Sequence, residues 1–88
     1  MVRVLLEGVL AYLAGRREFE VEASTVGELI ERLRDFPKLY ERIKGRRDKL
    51  SPDIYIAVND VDIRLLSGLD TQLKEGDVVL ILAYIHGG

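Results

Sequence analysis

Cysteine is absent from this 88-residue chain, and histidine occurs once, at His86. The first absence excludes a disulfide framework and any Cys-based zinc site. Nothing therefore points to an oxidising compartment, and a cytoplasmic location is expected. With His86 alone, a Ser-His-Asp triad and a His-rich metal site are effectively excluded. The sequence also lacks a Gly-rich phosphate loop, a metal-ligand spacing of His, Cys or Asp, and a nucleophile within sequence reach of a base. No bound metal or cofactor and no self-contained catalysis are expected. Long hydrophobic runs are missing too: the longest, Val78 to Ile85, falls well short of the ~20 residues that cross a bilayer. Residues 1–6 show no basic region leading a long apolar stretch, so no secretory signal is expected. A chain of 10.0 kDa makes one small domain that buries only about 60–65% of its unfolded surface. A deep private active site is not expected.

What is present is charge and periodic hydrophobicity. The net charge of −2 conceals an asymmetry, with 11 basic and 9 acidic residues in 1–50 against 2 and 6 in 51–88. Val2, Val4 and Leu6 alternate with Arg3 and Leu5, predicting a first strand over 2–7. Glu18 to Ala23 alternates more cleanly, placing Phe19, Val21 and Ala23 inward and Glu18, Glu20 and Glu22 on a solvated edge. Between them, Val9 to Leu13 reads as an apolar turn and Gly15 as a bend, making the pair a hairpin with an expanded loop.

Thr25-Val26-Gly27-Glu28 is a capping box, in which Thr25 accepts from the Glu28 N–H and Glu28 reaches back to the Thr25 N–H. Val26, Leu29, Ile30 and Leu33 then form one apolar stripe of a helix. Phe36-Pro37 interrupts it, and Pro37 opens a short second helix with Leu39, Tyr40 and Ile43 on its apolar side. Ile54, Ile56 and Val58 mark a third strand, Asn59-Asp60 a turn, and Val61 to Leu66 a short strand or extended segment. Asp60 and Asp62 are expected to serve turn geometry. Lys74-Glu75-Gly76-Asp77 is a tight turn feeding Val78 to Ile85, apolar throughout and so a central strand covered on both faces.

A terminal strand that is central most easily lies parallel to the first, reached through a helical crossover. The expected fold is α+β, a β-grasp roll with a mixed sheet of four to five strands, one main helix and a short second one. Residues 1–85 form the domain and residues 86–88 a flexible tail.

That tail, His86-Gly87-Gly88, is the unusual feature. Two terminal glycines arise by chance about once in 200 chains, so the pair alone says little. Its placement directly behind the central strand says more. A terminal glycine carboxylate can be approached from any side, and the pair adopts backbone angles barred to other residues, so it can thread a narrow channel. A carboxylate becomes electrophilic once adenylated by ATP, after which sulfide gives a thiocarboxylate and an amine gives an amide. A partner would supply the ATP site.

Val58-Asn59-Asp60-Val61-Asp62, then Leu65-Leu66, Gly68-Leu69-Asp70, Gln72-Leu73 and His86-Gly87-Gly88, resembles the C-terminal half of the ubiquitin-related modifier family of ubiquitin-like sulfur carriers. Leu13-Ala14-Gly15 and the Thr25 helix are more similar to the small subunit of molybdopterin synthase. Small archaeal modifier proteins share the fold and the terminal glycines. The resemblance implies that Gly88 is adenylated and thiocarboxylated by an E1-like adenylyltransferase and sulfurtransferase, with Gly87 and His86 threading into it. The activating enzyme would use the ATP. Sulfur would then pass to a wobble uridine of tRNA through a partner thiolase, with target lysines as a second acceptor. The alternative destination is molybdopterin synthase and its large subunit, but the Pro-Pro pair usual before that tail is replaced by Ala83-Tyr84-Ile85-His86.

The resemblance implies that one alternating set of the last strand forms part of a partner-binding face; by distance from the tail, Leu80, Leu82 and Tyr84 are assigned to that outer face and Val79 and Ile81 to the core, the alternative being that both faces are covered within the fold or by a dimer. The rival reading of another class is a small RNA-binding module built on residues 38–49, where Arg42, Lys44, Arg46, Arg47 and Lys49 cluster. The net negative charge and the lack of an RNA-stacking aromatic motif argue against it, so neither direct nucleic-acid nor membrane binding is expected.

Overall fold

The computed structural model describes residues 1–45 and 49–84. Five strands form one mixed sheet in the order β2-β1-β5-β3-β4: β1 Val2–Leu6, β2 Glu18–Val21, β3 Ile54–Val58, β4 Val61–Asp62 and β5 Val78–Ala83. The expected parallel pairing is present, with Arg3 opposite Val78 and Leu6 opposite Ile81. β5 pairs antiparallel with β3 on its other side, Ile54 opposite Ala83 and Val58 opposite Val79. The last strand is therefore the middle one.

Three helices cover one face: α1 Val9–Ala14, α2 Val26–Arg32 and α3 Pro37–Lys44. Together with the 3-10 turn that follows α2, they bring Leu10, Leu29, Ile30, Leu33, Leu39 and Ile43 against Val4, Ile56, Val79 and Ile81 in a single core. Each fully buried Leu or Ile there contributes about 1.5–3 kcal/mol. Among the described residues no helix is long and apolar enough to cross a membrane.

Local sequence accounts for most of these elements. The Thr25 hydroxyl accepts from the Glu28 N–H at 3.1 Å, while the Glu28 carboxylate accepts from the Ser24 N–H at 2.9 Å, one residue earlier than the expected partner. Replacing Thr25 with Ala should cost ~1 kcal/mol. For a domain of this size that lowers the thermal midpoint by about 4–8 °C, measurable by circular dichroism. α2 runs into a 3-10 turn at Leu33–Asp35, and Pro37 starts α3 as expected. Glu31 then ties α2 to α3, accepting from Arg34 at 3.0 Å and from the Tyr40 hydroxyl at 3.1 Å, and pairing with Lys44 at 3.2 Å. Asn59 and Asp60 both take positive φ in the two-residue turn between β3 and β4, as such hairpins require. Asp62 accepts from the Arg64 N–H at 2.8 Å, which is its turn role.

Three expectations are corrected. The segment read as an apolar turn is helix α1: Ala and Leu favour the helical state, and Leu10 is fully buried. Gly15, at φ 76°, closes the helix by donating to the Ala11 carbonyl at 2.9 Å, a left-handed cap that glycine adopts without strain. The segment from Val61 is a strand only as far as Asp62, because the Asp62 cap turns the chain into a 3-10 segment at Ile63–Leu65. β5 is not covered on both faces either: Val79 and Ile81 are buried, while Val78, Leu80 and Leu82 are half-buried. The helices reach one side of the sheet only.

Candidate functional site

The face opposite the helices is built by strand alternation. With Val2, Val4 and Leu6 pointing into the core, Leu5 points out, and register sets it beside Leu80 and then Ala57. The next row pairs Leu82 with Tyr55. Tyr84 follows at the end of the stripe, 43% exposed, with its ring edge-on to Tyr55 at 5.8 Å. Leu80, Leu82 and Tyr84 thus lie together on the outer side, with Leu5 and Tyr55 beside them. Those two were missed because alternation gives a residue's side of its own strand, whereas adjacency across strands depends on register.

Charges border this stripe. On the edge strand β2, Glu18 and Glu20 face out beside Arg3, and Glu18 lies 3.7 Å from the Arg3 guanidinium. On the opposite border Asp62 binds Arg64 through both carboxylate oxygens, which holds the Asp62 carboxyl below its ordinary range.

The chain leaves the sheet at Tyr84, whose N–H donates to the Asp53 carbonyl at 2.8 Å. The Asp53 carboxylate accepts from Arg42 at 3.0 Å and from the Ser51 hydroxyl at 2.8 Å. The Arg42 guanidinium holds the Asp53 carboxyl at about 2, against the opposing effect of burial and with help from Ser51. Because this pKa is depressed in the folded state, the contribution is complete above the unfolded value near 3.8 and is lost as pH falls through about 2. Allowing for partial exposure of Arg42, it is on the order of 1–2 kcal/mol. Asp53→Asn should flatten the loss of stability between pH 4 and 2 in urea titrations; an unchanged acid limb would refute the assignment.

Arg42 and Lys44 are thus committed to Asp53 and Glu31, which removes two cations from the basic segment read as a rival RNA surface. Arg46 and Arg47 lie outside the described residues, and Lys49 is exposed. His86, Gly87 and Gly88 also lie outside the described residues, as does Ile85. No sequence signal marked Arg42 and Asp53 as partners, since they are 11 residues apart across a charged loop. Among the described residues no group of three or more His, Cys, Asp or Glu stands close enough to hold a metal ion.

A mixed sheet with its last strand in the centre, helices on one side and an apolar face on the other that the described helices do not cover defines the β-grasp, ubiquitin-like class. The chain belongs to the ThiS family, whose model matches residues 4–88, within a group of ubiquitin-like sulfur carriers and modifiers. It is 39% identical over 75 residues to a putative sulfur carrier protein of Archaeoglobus fulgidus, covering 84% of this chain and 85% of that one. A ubiquitin-related modifier 1 homolog of Drosophila willistoni is 36% identical over 81 residues, covering 83% and 77%. Among solved structures, a chain of the Amycolatopsis orientalis BexX/CysO complex superposes with a TM-score of 0.86 at 30% identity, covering all of both chains. Members of this family are small carrier proteins rather than catalysts.

Proposed function

We propose that this chain is a sulfur carrier whose C-terminal glycine, Gly88, is the reacting group. The observation that carries the reading is the position of β5. The central strand ends at Ala83 beside the outward apolar stripe, and the five residues from Tyr84 to Gly88 follow directly. At full extension five residues reach about 17 Å. A partner docked on Leu80, Leu82 and Tyr84 can therefore receive the terminus in a site of its own, with His86 and Gly87 as the threaded segment.

In the first step a Gly88 carboxylate oxygen attacks the α-phosphorus of ATP held by an E1-like enzyme, and pyrophosphate leaves. In the second, sulfide attacks the acyl-adenylate carbon, AMP leaves, and a thiocarboxylate remains with the sulfide proton passed to solvent. This chain supplies the electrophile and the docking face; the nucleotide site and the sulfur belong to partners. The likeness to a chain of a two-protein complex supports action through a partner. Sulfur then passes to a wobble uridine of tRNA by way of a thiolase, and attack of a lysine amine on the activated terminus gives an isopeptide as the second outcome. The reactions proceed in the cytoplasm, since none needs an oxidising compartment.

The test is the intact mass of the purified chain after incubation with an E1-like enzyme of the same source, ATP and a sulfide donor. Exchange of one oxygen for one sulfur supports the carrier function. An unchanged mass, with the enzyme active on another Gly-Gly carrier, overturns it.

A further inference from the structure

The exit of the chain from the sheet is fixed by groups outside its own strand. Asp53, whose carbonyl accepts the Tyr84 N–H at 2.8 Å, stands at the threshold of β3. Its carboxylate is gripped by both terminal nitrogens of Arg42, a fork-to-fork pair that a lysine does not reproduce. Ser51 adds a second tie: its hydroxyl donates to Asp53 at 2.8 Å, and its N–H donates to the carbonyl of Ile43 at 2.8 Å. Arg42 and Ile43 sit near the C-terminal end of α3. The helix layer is thus bonded by two routes to the residue that holds Tyr84. On the other side the Tyr55 ring meets Tyr84 edge-on, with the centroids 5.8 Å apart. Neither Arg42 nor Asp53 belongs to the hydrophobic core, which closes without them.

Resting on the carrier function proposed above, the geometry points to Arg42 and Asp53 as positioning residues that fix the direction in which the reactive terminus leaves the domain. The argument is one of origin. The last four residues of the chain start from Tyr84, so a shift of Tyr84 moves the point from which the terminus must reach the partner's site. A misplacement of about 1 Å at the reacting atoms costs on the order of a hundredfold in rate. A clamp at the root shrinks the set of directions the partner must sort through, and it does so without touching the docking stripe.

The variants are Arg42→Met, Arg42→Lys and Asp53→Asn, with Lys44→Met as a control that breaks an ion pair elsewhere on α3. Two measurements are made on each. Amide hydrogen exchange at Tyr84 should rise about tenfold relative to Val79 and Ile81 in Arg42→Met and Asp53→Asn, as expected for a local opening, and stay unchanged in the control. In ATP–pyrophosphate exchange with the activating enzyme, kcat should fall about tenfold, with KM for the carrier within twofold, and Arg42→Lys should recover part of the loss. Unchanged Tyr84 exchange in Asp53→Asn, or a change confined to KM, overturns the positioning role. Failure of the carrier function is read separately, as absence of exchange with the unaltered chain.

Discussion

Removal of Gly88 alone is expected to lower sulfur loading by a hundredfold or more while leaving the fold at its original stability. The shortened chain still ends in a glycine carboxylate, at Gly87, so the loss is not one of chemistry. It is one of reach: the reacting group stops about 3.3 Å short of the nucleotide, and reaction rates fall steeply over distances of that size. Among the described residues the buried core runs from Val2 to Ile81, and a terminal glycine has no side chain to add to it. Thermal unfolding should therefore agree with that of the full chain to within about 0.5 kcal/mol. The comparison needs an intact-mass measurement after the loading reaction and a melting curve on the same sample. Full loading of the shortened chain would remove Gly88 as the reacting residue.

Two neighbours on β5 should respond to the same substitution in opposite ways. Ile81 is fully buried on the helix side, and Ile81→Ala should cost 2–5 kcal/mol through lost contacts and the cavity left behind. A domain of this size holds roughly 4–13 kcal/mol in total, so that one change removes a large share. Leu82, one residue on, is half-buried on the outer side. Leu82→Ala should cost less than about 1 kcal/mol in stability but weaken binding to the activating enzyme about tenfold or more, as truncation of an apolar anchor does. Urea denaturation measures the first effect and calorimetric titration the second. An outer-face variant that binds as well as the unaltered chain would show that partners dock elsewhere.

Much of the fold was legible because the signals are local. The period-2 runs of β1 to β3, the Thr25 capping box, the Phe36-Pro37 break and the Asn59-Asp60 turn each involve residues within a few positions of one another. Helix α1 escaped for the complementary reason. Six residues are too few to hold a helix on propensity alone, and what stabilises this one is burial of Leu10 against distant strands. The full apolarity of Val78 to Ile85 suggested cover on both sides, but hydrophobicity does not say whether that cover comes from within the chain. Here the second face is left to half-buried leucines and an exposed tyrosine.

By itself, then, the sequence determined most of the elements, helix α1 excepted, and the placement of Gly87-Gly88 behind the central strand. The tertiary structure decided which side chains share the outer stripe, since Leu5, Leu80 and Ala57 meet only through the register of three strands distant in sequence. It also decided the partners of Arg42 and Lys44, which sequence alone presents as free cations on a basic segment. Hydrogen-bonding periods and caps act over one turn of chain, whereas register and ion pairing are fixed only when the whole sheet closes and desolvates the groups it brings together.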